Sequence, residues 1–398
     1  MKILSITAQK PHSTGSGTYL TEVVKALAGL GHEQAVVAGI YEDDKAHFPD
    51  SVGFYPVFFS EEFPIVGMSD VMPYPSQLYS RMSEADIERF RMMFEPIIKK
   101  AVAELQPDII FCHHLFLLTS IVREMFPDAV IYGLSHGSDL RQFRQSDNLR
   151  DIVRPGIAGL DRVYALHAEQ KNMIKELFGI EDDRIYIAGS GYNSAIFNRD
   201  LRGEMDVDEI PVRIAFAGKL SRAKGILEFL EAGRILAGDP EFPEFVISLA
   251  GGCQDDEVLN AVKEQPFAEY VGMLNQIELS VMLQKCDVFV LPSYYEGLPL
   301  VLMEAMACGV VPVCTDLPGV KDWVEKSING STAVFVERPE MVSVDEPAEE
   351  AKPIFARNLA EAIKIAYQTQ VCIKDGCIPE PDTEAVSWAA CAERIFAQ

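Results

Sequence analysis

The stretch Cys286-Asp287-Val288-Phe289-Val290-Leu291-Pro292-Ser293-Tyr294-Tyr295-Glu296-Gly297-Leu298-Pro299-Leu300-Val301-Leu302-Met303-Glu304-Ala305-Met306-Ala307-Cys308-Gly309-Val310-Val311-Pro312-Val313 reads as one strand–helix–strand unit. Residues 288–291 are a short apolar run with β-branched and aromatic members, ended by Pro292, the pattern of a strand buried on both faces of a parallel sheet. A loop follows. Pro299 suits the first position of a helix, residues 300–307 are good helix formers, and Gly309 supplies the stop before a second apolar run opens at Val310.

Glu296 in the loop and Glu304 in the helix are separated by seven residues. A helical side chain leans toward its own N-terminus, so Glu304 is expected to point back to the helix mouth, where Glu296 and the amides of Gly297 and Leu298 gather. Amides and the helix dipole suit an anionic phosphate; carboxylates suit the hydroxyls of a sugar or ribose.

This segment resembles the paired-glutamate signature of retaining glycosyltransferases with two Rossmann-like domains, the GT-B architecture, and of family 4 in particular. The resemblance takes in the strand, Pro292-Ser293, Glu296-Gly297-Leu298-Pro299, Glu304-Ala305-Met306-Ala307, Gly309 and the next strand. It implies an α/β fold of two Rossmann-like domains with parallel sheets facing across a cleft, and a C-terminal helix that crosses back to the first domain.

Composition fits that expectation. A chain of 398 residues exceeds one ordinary domain, and 48% apolar residues supply large cores. No apolar run reaches the length of a membrane span, and the start of the chain is a strand too short for a signal peptide, which points to the cytoplasm. Eight cysteines, at 112, 253, 286, 308, 314, 372, 377 and 391, show no zinc spacing and read as reduced core thiols. A formal net charge of -25 argues against nucleic acid as a partner. Lys99, Lys100, Arg141 and Arg144 are candidates for a local basic patch, although such runs are more often solvated faces.

From the N-terminus, residues 2–6 read as a strand and 19–30 as a helix with apolar residues at Leu20, Val23, Val24, Leu27 and Leu30. The glycine-rich turn between them, with Gly15 and Gly17, is a ready phosphate site, though Leu20 stands at the third glycine of a dinucleotide fingerprint. Strands are expected at 109–112, 130–134, 162–166 and 184–188, alternating with helices at 84–104 and 169–178, hence a parallel sheet. His113, His114 and His136 fall at strand ends, where ligands of such sheets bind. Adjacent side chains in an extended segment point opposite ways, so His113-His114 is not expected to form a metal pair. Gly137 lets the chain turn after His136, and Asp139 is close enough to orient its ring or bind a ligand. Ser135-His136-Gly137-Ser138-Asp139 resembles the family's His-Gly-x-Asp segment, whose histidine borders the transferred sugar. Residues 190–193, Ser-Gly-Tyr-Asn, stand where the family has Asn-Gly-Val-Asp, with Asn193 in place of the acid.

Residues 199–211 are polar and charge-rich and read as the linker, giving expected domains at 1–200 and 201–380, with the crossing helix at 381–398. The second series opens with a strand at 212–217 and a loop carrying Lys219 and Lys224 before a helix from Ile226. Cations there can neutralise a diphosphate. The family has arginine and lysine at these places; Lys219 brings charge without arginine's fork. Residues 245–250 form a strand leading to Gly251-Gly252-Cys253. Residues 270–274 resemble the family's segment beside the nucleotide base, which implies base contact through the main chain of Leu274. Residues 337–352 read as an acidic solvated loop, 354–367 as a helix, and Ser387-Trp388 as the family's Ser-Trp motif.

The function expected is retaining transfer of a hexose-type sugar from a UDP- or GDP-linked donor to a hydroxyl of a glycan, small-molecule or lipid-carrier acceptor. The acidic total favours a soluble or glycan acceptor. Donor binding is assigned to Gly15, Gly17, Lys219, Lys224, Leu274, Glu296, Gly297, Leu298 and Glu304, and catalysis to His136, Glu296, Lys219 and Lys224, with no metal and no cofactor. An epimerase of the same architecture and a non-catalytic nucleotide-sugar-binding subunit are the alternatives. Residues 48–80, rich in Phe, Pro, Met and Tyr, are expected to form a long irregular lid that selects the acceptor.

Overall fold

The computed structural model describes residues 1–69, 72–201 and 211–397. They form two compact units, Met1–Gly191 with Trp388–Gln398, and Tyr192–Ser387. The units part at 191/192 and 387/388, where the sequence suggested 200/201 and 380/381. Most of the expected linker, 202–210, lies outside the described residues.

In the first unit the strands are β1 (Lys2–Thr7), β2 (Glu33–Tyr41), β3 (Val52–Phe59), β4 (Ile65–Gly67), β5 (Ser76–Leu78), β6 (Ile109–His113), β7 (Ile131–Leu134), β8 (Arg162–Ala165) and β9 (Ile185–Ile187). Among the described residues seven of them make one sheet in the order β3-β2-β1-β6-β7-β8-β9, every neighbouring pair parallel. β4 and β5 pair separately. The stretch 48–80 is therefore not irregular throughout as expected, since it contains β3, β4 and β5. Pro56 sits within β3 because β3 is the edge strand, where a missing amide leaves no ladder bond unmade. The helix Glu84–Leu105 starts with a capping box between Ser83 and Asp86 and buries Phe90, Phe94, Ile98, Ala101 and Leu105 in the same core as Leu4, Ile6 and Ile110. The terminal helix Trp388–Phe396 packs within this unit against the helix Gly15–Gly29.

The second unit holds β10 (Val212–Ala217), β11 (Phe245–Ala250), β12 (Ala268–Gly272), β13 (Val288–Leu291), β14 (Val311–Asp316) and β15 (Val334–Glu337), all parallel, in the order β12-β11-β10-β13-β14-β15. β13 is buried at all four residues, as its unbroken apolar run requires. The helices Ile226–Ala237 and Lys352–Lys374 pack together over this sheet. In each sheet the chain begins in the middle and changes direction beside its first strand, between β1 and β6 and between β10 and β13. The carboxyl edge beside such a point is the usual ligand position of doubly wound sheets.

Candidate functional site

The loops that leave β10 and β13 interlock. Arg222–Lys224 make a single 3-10 turn, and Gly225 takes φ +64 as the cap of the helix Ile226–Ala237. A Cβ at Gly225 would lie 2.3 Å from the Pro292 carbonyl oxygen, so only glycine lets the two loops meet. The Tyr294 amide then donates to the Ala223 carbonyl at 3.1 Å. This juxtaposition brings Lys224 Nζ to 2.5 Å from Glu296 Oε1, with side chains 25% and 19% exposed. Two groups 72 residues apart thus form a largely desolvated ion pair at the switch point.

The remaining donor candidates lie on the same carboxyl edge. Lys219 is exposed in the loop after β10, and Leu274 is half-buried after β12. Gly297 and Leu298 belong to the loop after β13, Leu298 being buried. Pro299, expected as the first helical residue, is the extended N-cap, and the helix runs Leu300–Ala307. Glu304 is only 7% exposed, in a helix otherwise buried from Leu302 onward. A surface role for this carboxylate is excluded, and burial of an ionisable group at such a place marks function or pairing. Arg222, by contrast, is committed to Asp255 and Glu257.

Sequence reasoning missed how tightly glycines hold the floor of this edge. The Gly218 amide donates to Ala250 and the Gly251 amide to Gly272, at 3.0 and 2.7 Å, and a Cβ at Gly251 would stand 1.8 Å from the Gly218 oxygen. The ends of β10, β11 and β12 can touch only because side chains are absent there. The signal was present as glycine after three successive strands, but the close approach follows from strand order.

At the switch point of the first unit, Gly15 and Gly17 are not in a turn preceding the helix: they are its first and third residues. Thr14 is the cap, and its Oγ1 accepts the Gly17 amide at 3.1 Å. That amide is therefore already satisfied, which weakens its case as a phosphate donor. A Cβ at Gly17 would lie 2.8 Å from the Lys10 oxygen, so glycine serves close packing of the loop 10–12. Within that loop His12 has φ +65 and accepts the His47 amide on Nε2 at 3.0 Å. Its pKa is lowered to about 4, by burial first and then by Lys25 and His47.

The three histidines at the ends of β6 and β7 meet. His114 leaves the extended conformation with φ +72, so the alternation expected for neighbours fails, and both rings approach His136, with centroids 5.4 Å away for His113 and 4.7 Å for His114. His113 Nδ1 lies 3.2 Å from His136 Nε2. Burial lowers the pKa of His113 to about 3 and of His114 to about 4, the latter opposed by Asp139, and holds His136 well below the ordinary range, so the cluster is neutral at pH 7. Contrary to the expectation from sequence, Asp139 does not hydrogen-bond the His136 ring. It accepts the amides of Leu115 and His136 and the Ser135 hydroxyl, at 2.7, 3.2 and 2.9 Å, and so fixes the loop backbone. Tyr19, which the sequence reading passed over, meets His136 edge-on at 5.2 Å and Trp388 at 4.9 Å. Among the described residues no group of three or more His, Cys, Asp or Glu has a metal-holding arrangement. Asn193 accepts the Ala195 amide on its side chain, a local turn at the start of the second unit.

Two doubly wound parallel sheets, each with its candidate groups at the switch point, define a protein of the GT-B architecture. The family model described as "Glycosyltransferase Family 4" matches residues 13–195, and that described as "Glycosyl transferases group 1" matches residues 198–344. The chain belongs to the family 4-like glycosyltransferases. It is 26% identical over 270 residues to alpha-maltose-1-phosphate synthase of Mycolicibacterium smegmatis, covering 62% of this chain and 64% of that protein. It is 24% identical over 374 residues to N-acetyl-alpha-D-glucosaminyl L-malate synthase of Bacillus anthracis, covering 85% and 84%. The match to the first of these relatives thus spans less than two thirds of its length. The fold is shared with the UDP-forming alpha,alpha-trehalose-phosphate synthase of Burkholderia xenovorans, at a TM-score of 0.70, 12% identity, and coverage of 100% of this chain and 99% of the other. Among the described residues no helix is long and apolar enough to cross a membrane.

Proposed function

We propose that the chain is a retaining hexosyltransferase using a UDP- or GDP-linked sugar, and that the donor lies along the carboxyl edge of the second unit. The observation that carries this reading is the largely desolvated pair of Lys224 and Glu296 at the switch point of β10 and β13. Lys224 and Lys219 take the diphosphate, Glu296 the transferred sugar with the amides of Gly297 and Leu298, Glu304 the ribose hydroxyls, and the main chain of Leu274 the base. The UDP-forming activity named for the structural neighbour supports a nucleoside diphosphate leaving group.

In the reaction the bond from the anomeric carbon to the diphosphate oxygen breaks, and a bond to the acceptor hydroxyl oxygen forms on the same face. The acceptor proton passes to the departing phosphate oxygen. Negative charge grows on the diphosphate, and fixed cations with the first amides of the helix Leu300–Ala307 lower the barrier without a metal. Glu296 is engaged by Lys224 and so poorly suited to be a nucleophile, which supports the same-face course. His136, neutral and half-buried, keeps the catalytic role implied by the family resemblance and can offer a hydrogen bond rather than a charge. A soluble or glycan acceptor suits a chain of net charge -25, and eight cysteines without zinc spacing, read as reduced thiols, suit the cytoplasm.

The test is incubation with UDP-glucose, UDP-N-acetylglucosamine or GDP-mannose and a panel of sugar and hydroxy-acid acceptors. Acceptor-dependent release of the nucleoside diphosphate, with the anomeric configuration kept in the product by proton NMR, is expected. Inversion refutes the mechanism, and epimerised donor without release refutes the transferase.

A further inference from the structure

We infer that Glu296 makes the donor site prefer an intact nucleotide sugar over the bare nucleoside diphosphate, by competing with phosphate for Lys224. The inference rests on the donor site proposed above. Without ligand, Lys224 is held by Glu296 at 2.5 Å, and both side chains are mostly withdrawn from water. A diphosphate that approaches the ammonium must share its three donors with the carboxylate or displace it. Glu296 is then left with little hydration beside a newly arrived anion, which is unfavourable through both lost pairing and like-charge repulsion.

Of the three cations in this loop, Arg222 is bound to Asp255 and Glu257, which leaves the phosphates the exposed Lys219 and the contested Lys224. The field of Glu296 already reaches the buried Cys314 thiol, whose pKa is raised by burial first and then by this carboxylate. A ligand carrying a sugar resolves the conflict: its hydroxyls donate to Glu296 in place of the ammonium while the phosphates take Lys224. A bare nucleoside diphosphate brings no such donors to that end. After transfer the product has lost them too, so Lys224 returns to Glu296 and product departure is favoured. Glu296 is thus a specificity-determining residue, an internal rival of the phosphate rather than only a sugar ligand.

Isothermal titration of UDP, GDP, UDP-glucose and GDP-mannose into the protein and into Glu296→Gln tests this. For the base that binds, Glu296→Gln is expected to bind the bare diphosphate at least threefold tighter and the nucleotide sugar no tighter. Bare diphosphate binding equal to or weaker than that of the parent overturns the inference. Lys224→Gln separates competition from simple repulsion: adding Glu296→Gln to it should bring a clearly smaller gain than the single variant shows, and a gain as large as in the single variant overturns the competition. Melting midpoints verify folding of the variants. If the parent binds none of the four ligands, the donor site itself fails; if it binds them with an unchanged preference in Glu296→Gln, this inference alone fails.

Discussion

Substitution of Gly251 by alanine probes the floor of the proposed donor site. Gly251 has φ +132, a conformation that L side chains rarely adopt, and its Cβ would stand 1.8 Å from the Gly218 carbonyl oxygen. Ordinary contact begins near 3.4 Å, so the ends of β10 and β11 must separate by about 1.6 Å or the Gly251 backbone must rotate. Separation breaks the hydrogen bond from the Gly218 amide to the Ala250 carbonyl, and rotation breaks that from the Gly251 amide to the Gly272 carbonyl. Backbone strain of ~1–3 kcal/mol and one or two lost hydrogen bonds at ~1 kcal/mol each give a destabilisation of about 3 kcal/mol. For a unit of this size that lowers the melting midpoint by roughly 6–12 °C. Gly252→Ala is the control, because the nearest atom to its Cβ is Met273 Sδ at 3.8 Å, and it should stay within about 0.5 kcal/mol. Differential scanning calorimetry of the two variants decides. Equal midpoints for Gly251→Ala and Gly252→Ala would refute the claim that close backbone approach holds these strand ends together.

Acid should unfold the first unit through its histidines. His113 and His114 have native pKa values of about 3 and about 4 against an ordinary 6.5, so the unfolded chain binds more protons once the pH drops below 6.5. Their contribution is fully present above pH 6.5 and is lost as the pH falls toward 4, at up to ~1.4 kcal/mol per pH unit for each. Denaturant titrations between pH 7 and 4 should show a shallower dependence in His113→Gln/His114→Gln; an identical slope contradicts the assignment. Gly17→Ala should cost ~1–3 kcal/mol, since its Cβ meets the Lys10 oxygen at 2.8 Å and the His12 nitrogen at 3.0 Å, and an unchanged denaturation midpoint counts against the packing role.

How far the sequence disclosed this molecule depended on the range over which each signal acts. The β13 run, its Pro292 stop and the Gly309 break are local, and the observed elements follow them within a residue. β3 was hidden inside a stretch read as irregular, and its edge position is what makes Pro56 tolerable in a strand. The helix Gly15–Gly29 begins four residues before its apolar periodicity, since two glycines have poor propensity but are demanded by contact with the loop 10–12. Alternation of side chains predicted that His113 and His114 diverge; it ceases at the strand end, where His114 turns to positive φ. Lys224 and Glu296 could each be placed after a strand, but their pairing depends on β10 lying beside β13, which no local pattern states. The catalytic and binding roles read from family resemblance remain proposals for these positions.

The most direct measurement is calorimetric titration of UDP and GDP into the protein and into Lys224→Gln. The account predicts saturable binding of one of them, with a Kd at least ~10-fold higher in Lys224→Gln, as expected for loss of a charge-assisted bond to phosphate. No binding of either nucleotide, or the same Kd in both proteins, would contradict a donor site built on the Lys224 loop.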